Sequence, residues 1–190
     1  MTGRLLSDYI KVYEKVLSPE QCDSLIARFE ASPTQHEVMQ AKNSYSFVQL
    51  DISQFWPDVE AHIGGIMRFC LQHYQQSLGV TQFWPPNPLA EAIRLKRYLP
   101  NGRDSFPPHV DVMDQSNSGR LATAILYLNV PGGGETVFPQ LNVSITPEQG
   151  RLVIFPPLWT FVHAGLPPRD RPKYTLQSYL WYPPATNIGR

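Results

Sequence analysis

Three residues carry the side-chain types of a transition-metal site: His109 and Asp111 in Pro107-Pro108-His109-Val110-Asp111, and His163 in Phe161-Val162-His163-Ala164-Gly165. Two imidazoles and one carboxylate form the facial set that grips non-haem Fe(II) from one side and leaves the opposite side open to other ligands. On a strand, residues i and i+2 point the same way, so His109 and Asp111 on one strand can hold one ion while His163 arrives from another. The pair alone is weak evidence. Five histidines and eight aspartates in 190 residues give about 0.2 His-x-Asp pairs by chance, and both histidines also read as hydrogen-bonded residues at strand ends. His62 and His73 are eleven residues apart on a helical segment, about three turns, and cannot share an ion.

Such a set needs rigid elements to position it. Ser18-Pro19 reads as an N-cap followed by proline at the first helical position, opening a helix to about Ala31. A second helix is expected over 57–78, with Val59, Ile63, Ile66, Met67, Cys70, Leu71 and Tyr74 on its apolar face. Residues 34–50 are polar, with Tyr45, Phe47 and Val48 hinting at a strand or flexible flap. From Glu91 onward, Gly and Pro punctuate short strands at 92–98, 109–112, 121–130, 136–138, 143–145, 151–155, 160–163 and 173–182. The expected fold is mainly β: a double-stranded β-helix, or jelly roll, packed against two or more N-terminal helices. One domain is expected over 1–190, with a helical support region at 1–90 and a jelly-roll catalytic core at 91–182.

Composition removes several classes. Sixteen Lys plus Arg balance 16 Asp plus Glu, which disfavours a nucleic-acid binder. No run approaches the ~20 apolar residues that span a bilayer, and no secretory signal opens the chain. A cytoplasmic protein with no membrane partner is expected. Cys22 and Cys70 sit in helical segments as small buried hydrophobes. The 19 prolines are scattered, which suits ordered turns between short strands.

From Glu91 to Trp181 the chain resembles the prolyl 4-hydroxylase-like branch of the Fe(II)- and 2-oxoglutarate-dependent dioxygenases. The matching pieces, in order, are Arg97-Tyr98 followed by Gly102, Pro108-His109-Val110-Asp111, and Ala124 to Asn129. Then come Gly133-Gly134-Glu135-Thr136-Val137-Phe138-Pro139, Gly150 to Phe155, and His163-Ala164-Gly165 with Lys173-Tyr174 ten residues on. Val16 to Cys22 also looks like the segment that opens the family's catalytic domain. The resemblance implies that His109, Asp111 and His163 bind Fe(II), that Lys173 receives the far carboxylate of 2-oxoglutarate, and that Tyr98, Tyr127 and Thr136 help hold this cosubstrate. It also implies O2 consumption, with ascorbate a possible reductant, and hydroxylation of an unactivated C–H with release of succinate and CO2. The eleven residues from Tyr98 to His109 exceed the family's usual spacing, which puts the role of Tyr98 in question. Asp111 favours hydroxylation over halogenation, because halogenating relatives replace the carboxylate with a small residue.

Strand parity extends the reading. If Tyr98 faces the metal, Lys96 and Arg94 share its face; if Lys173 does, so do Thr175, Gln177, Tyr179 and Trp181. Arg94, Gln177 and Tyr179 are therefore candidates for the wall that meets the prime substrate, with Arg94 accepting a carboxylate. The expected partner is a small-molecule or peptide substrate, either prolyl or amino-acid-like, and the oligomeric state stays open. Two other classes remain: a jelly-roll metal-binding or sensing module without turnover, and a cupin-like metal enzyme that takes no 2-oxoglutarate and needs no cation at 173. The segments 34–50 and 99–106 are candidate lids.

Overall fold

The computed structural model describes residues 3–41 and 45–183. Helix α1 (Pro19–Glu30) starts on a capping box: Ser18 Oγ accepts from the Gln21 N–H while the Gln21 side chain accepts from the Ser18 N–H. Two otherwise orphaned donors are thereby satisfied, and Pro19 occupies a position where no N–H is needed. A single turn, α2 (Ile52–Phe55), precedes α3 (Pro57–Ser77), which buries Ile63, Met67, Cys70, Leu71 and Tyr74 along one face. No helix among the described residues is long and apolar enough to cross a membrane.

Among the described residues, twelve strands follow in order as β1 (Lys11–Tyr13), β2 (Glu37–Gln40), β3 (Ser46–Asp51), β4 (Leu89–Ala90), β5 (Arg94–Tyr98), β6 (Phe106–His109), β7 (Arg120–Tyr127), β8 (Thr136–Phe138), β9 (Val143–Ile145), β10 (Leu152–Phe155), β11 (His163–Gly165) and β12 (Lys173–Trp181). They form two antiparallel sheets. The larger runs β1-β10-β7-β12-β5-β3-β2 with β4 beside β12, and the smaller runs β6-β11-β8-β9. This is the jelly roll expected, with helices in the minority.

Alternation sorts the larger sheet into two faces. Leu95, Leu126, Leu152, Ile154, Tyr174, Leu176 and Leu180 pack under the helices with Phe29, Ile63 and Met67. Leu176 and Leu126 are directly opposed and fully buried, and each such burial stabilises by about 1.5–3 kcal/mol. The opposite face looks into the sandwich. There Ile125, Tyr127, Val153 and Phe155 meet Phe138, Ile145 and Phe161 in a second apolar cluster. The β5–β12 side of that face is polar instead, carrying Arg94, Lys96, Lys173, Thr175 and Gln177 in cross-strand register.

The structure departs from the sequence expectations in three places. Residues 37–51 form the hairpin β2–β3, whose β3 pairs with β5 through Val48↔Arg97 to Asp51↔Arg94; residues 42–44 of the expected flap lie outside the described residues. The region before residue 91 thus supplies β1, β2, β3 and β4 to the larger sheet as well as its helices. The strand placed at 109–112 instead ends at His109, because the N–H groups of Asp111 and Val112 both turn to the Pro157 carbonyl, at 3.2 and 3.1 Å. The strand placed at 160–163 is a 3-10 turn over Trp159–Phe161, and His163 opens β11 instead of closing a strand.

The loop from β5 to β6 is tied down by one carboxylate. Asp104, 5% exposed, accepts from the Leu99 N–H at 2.9 Å, from Asn101 Nδ2 at 3.0 Å and from Ser46 Oγ on β3 at 2.9 Å. Asp104→Ala would strand these donors. It is expected to lower the unfolding free energy by about 1–3 kcal/mol, measured by urea denaturation, whereas a change within ~0.5 kcal/mol would show that water replaces the carboxylate.

Candidate active site

His109 at the end of β6 and His163 at the start of β11 are direct partners in the smaller sheet, their rings 4.3 Å apart. His109 Nδ1 lies 2.8 Å from the Pro107 carbonyl and His163 Nδ1 lies 3.0 Å from the Phe161 carbonyl. A carbonyl only accepts, so Nδ1 carries the proton in both rings and each Nε2 keeps a free lone pair. Those two atoms face Asp111 at 3.7 and 3.6 Å, and all three potential ligand atoms lie within 4.8 Å of one another. Asp111 therefore reaches its neighbours from the bend past β6, not by i, i+2 alternation within one strand.

The Asp111 carboxylate is almost fully buried and heavily supported. Thr123 Oγ1 donates to Oδ2 at 2.7 Å, Tyr179 OH donates to Oδ1 at 3.0 Å, and Arg120 donates to its backbone carbonyl at 2.9 Å. Burial pushes the carboxyl up, yet the adjacent imidazoles and the Thr123 hydroxyl outweigh it and hold the group well below the usual carboxylate range. Burial pushes His163 down, which favours the neutral, ligating imidazole. Arg120 is fixed in turn by both Glu91 oxygens at 2.7 and 3.1 Å, and Glu91 also accepts from the Trp181 indole.

A narrow cavity runs from the two histidines past Ile125, Tyr127 and Thr136 to Lys173. Lys173 is 3% exposed and donates to the carbonyls of Gly134 and Leu166 at 3.1 and 3.3 Å, which leaves one of its three protons for a ligand. Burial pushes this ammonium down to about 8, with Glu135 offsetting part of the shift. Its stem passes so close to Gly134 that a Cβ there would lie 2.9 Å from Lys173 Cδ, and Gly134 also has φ +76°. Both facts require glycine. The Lys173 ammonium lies 4.5 Å from the centre of the Tyr98 ring, and Tyr127 OH donates to Thr136 Oγ1 at 2.6 Å, freeing the threonine proton for the cavity.

Six of the seven residues expected at the metal and cosubstrate line this cavity, and the seventh, Asp111, lies beside its two histidines. The three expected at the prime substrate divide. Gln177 lines the cavity and Tyr179 supports Asp111, and the two are bonded to each other at 2.6 Å. Arg94 turns to Asp51, 3.7 Å away on β3, and is not among the cavity-lining side chains. Four contributors were not singled out from sequence: Lys96, Phe106, Arg120 and Thr123. Parity already placed Lys96 beside Tyr98, and the same rule puts Thr123 with Ile125 and Tyr127. Nothing local marks Arg120.

A His-Asp-His face beside a cavity that ends in a buried cation is the donor arrangement that suits non-haem Fe(II), with a place for an anionic group at the far end. Residues 93–181 match the model of the 2OG-Fe(II) oxygenase superfamily. That stretch, just under half of the chain, is similar to a 2OG-Fe(II) oxygenase domain and contains His109, Asp111, His163 and Lys173. No curated protein matches the chain by sequence. Among solved structures, the viral collagen prolyl hydroxylase of Paramecium bursaria Chlorella virus-1, in complex with 2-oxoglutarate, is similar at TM-score 0.67 and 24% identity, over 92% of this chain and 96% of that one. A Trichoplax adhaerens prolyl hydroxylase in complex with a hypoxia-inducible-factor peptide fragment is similar at TM-score 0.71 and 15% identity, over 93% and 84%. A Pseudomonas putida prolyl-4-hydroxylase reaches TM-score 0.63 at 17% identity, over 92% and 93%.

The buried lysine sets a pH dependence. Between its folded value of about 8 and the ordinary 10.5, the unfolded chain binds the proton that the folded chain has lost, so stability rises with pH in that window. The buried Cys22 thiol, pushed up to about 11 from 9.0, opposes the rise above pH 9. Denaturation of the metal-free protein between pH 8 and 9 is therefore expected to show stability rising less steeply in Lys173→Met than in the parent. Equal slopes would mean that the ammonium is solvated.

Proposed function

We propose that the protein hydroxylates an unactivated C–H of a prolyl or other peptidyl substrate, releasing succinate and CO2, and that residues 1–190 work as one catalytic domain. The observation that carries this reading is the single cavity bounded by His109 and His163 at one end and the spare proton of Lys173 at the other. The donor set fits the metal: two lone pairs on Nε2 atoms and one charged carboxylate, gathered on one side of the site. Bound there, Fe(II) would activate O2, the oxidant, with 2-oxoglutarate as co-reductant, so that one oxygen atom would end in succinate and the other in the new hydroxyl group.

The chain's own residues do the rest. His109, Asp111 and His163 would hold the ion. Lys173 anchors the remote carboxylate through a charge-assisted hydrogen bond, aided by the Thr136 hydroxyl that Tyr127 orients. Phe47, Tyr98 and Phe106 close one wall in a run of rings 5.2–5.9 Å apart and keep water from it. The cupin-like and non-catalytic alternatives have no use for a buried cation at 173.

A peptide is favoured over a free amino acid by the rim. The loops that follow Asp111 and Pro157 are joined by the hydrogen bonds described above, and they carry Met113, Leu158 and Trp159 at 75%, 45% and 76% exposure. Apolar side chains displayed beside a site mark a surface that meets another molecule. The structural neighbours include a prolyl hydroxylase solved with a peptide. A reducing, cytoplasmic setting accords with Cys22 and Cys70, buried and unpaired.

Succinate release from 2-oxoglutarate tests the reading, with proline-containing peptides set against free proline. His109→Ala, Asp111→Ala and His163→Ala are each expected to abolish turnover while the apo fold is retained. Lys173→Met should raise the KM for 2-oxoglutarate by about 10- to 100-fold, as expected for a lost charge-assisted contact. Trp159→Ala should raise the KM for peptide about tenfold and leave peptide-independent succinate formation unchanged. Preference for free proline, with Trp159→Ala silent, would transfer the substrate to the small-molecule class.

A further inference from the structure

A second lysine, Lys96, is buried on the inner face of the larger sheet, 8% exposed, and no carboxylate lies within salt-bridge distance of it among the described residues. Its ammonium lies 4.9 Å from the Phe47 ring centre and donates to Gln177 Oε1 at 2.5 Å. Gln177 Nε2 donates to Tyr179 OH at 2.6 Å, and Tyr179 OH donates to Asp111 Oδ1 at 3.0 Å. We infer that Lys96 is a positioning residue which, through Gln177 and Tyr179, fixes the Asp111 carboxylate in the orientation that receives the metal.

The direction of this chain is set by elementary donor chemistry. An ammonium only donates, so the amide of Gln177 must turn its oxygen to Lys96 and its NH2 to Tyr179. The amide nitrogen also only donates, so the phenol oxygen accepts and its own proton is left for Asp111. With Thr123 on the other carboxylate oxygen, Asp111 cannot rotate without breaking two hydrogen bonds. The Arg120 guanidinium, 3.6 Å from the centre of the Tyr179 ring, holds the phenol in plane. Without Lys96 the Gln177 amide can reverse, offer its oxygen to Tyr179 and draw that proton away from Asp111. Supporting groups of this kind typically change metal affinity 10- to 100-fold when removed.

The inference rests on Asp111 being a metal ligand, and calorimetric titration with Co(II) alone separates the two claims. Asp111→Ala should lose Co(II) binding. Lys96→Met, which keeps the stem over Phe47, should bind Co(II) about tenfold more weakly with shifted visible ligand-field bands, and Tyr179→Phe at least as weakly. The double variant should be no weaker than Tyr179→Phe, because both changes break one chain. Gln177→Leu, which removes the amide that orients the Tyr179 hydroxyl, should also weaken Co(II) binding and carries the test if Lys96→Met does not fold. A lysine acting only as a like charge would give the opposite sign, its removal tightening Co(II). Unchanged or tighter binding in Lys96→Met, or a loss that multiplies in full with that of Tyr179→Phe, overturns the inference. Parent-like binding in Asp111→Ala would overturn the metal assignment itself, and the inference with it.

Discussion

Three ligands have to be gathered before any ion arrives, and a carboxylate buried between two imidazoles is the constraint around which the rest is arranged. Left alone in a low-dielectric interior, that carboxylate would take up a proton or turn to water. It does neither, because the protein surrounds it with donors: Thr123 and Tyr179 on its oxygens and Arg120 on its backbone. The imidazoles are settled separately, each by a carbonyl two residues before it. Pairing His109 with His163 across β6 and β11 then leaves little freedom in where the lone pairs converge.

This arrangement explains why the larger sheet is apolar on one face and divided on the other. Its helix-facing side is packed throughout with Leu, Ile and Phe and carries the stability. The inward face is apolar where β7 and β10 meet the smaller sheet, and polar where β5 and β12 pass the cavity. Two buried lysines on that polar side are held below their ordinary values by desolvation, both near 8. Each is a standing cost to the empty protein, tolerated because stability is supplied on the other face. Gly134 shows the same division of labour, since its missing side chain is the space that Lys173 fills.

Much of this was legible in the sequence, and the exceptions have physical reasons. Ser18-Pro19-Glu20 specified the start of α1 because capping is local chemistry. Parity assigned the inward set on β5 and β12 correctly because alternation in a regular strand is obligatory, and Lys96 lay within that pattern. The local geometry of Asp111 was not legible, since the turn beyond His109 depends on the Pro157 carbonyl, 46 positions later in the chain. The destination of Arg94 was equally hidden. Parity gives a face but not a partner, and Asp51 reaches it only through the β3–β5 pairing. Segment 34–50 read as a strand or flap because polar residues of the hairpin, Gln49 and Glu37 among them, bond each other across it instead of forming an apolar stripe.

The most direct measurement is an anaerobic crystal structure of the protein soaked with Mn(II) and 2-oxoglutarate. The metal is expected on His109 Nε2, His163 Nε2 and the Asp111 carboxylate, with the remote carboxylate of 2-oxoglutarate on Lys173 Nζ. Metal density away from these three side chains, or a cosubstrate whose far carboxylate is held by another cation, would contradict it.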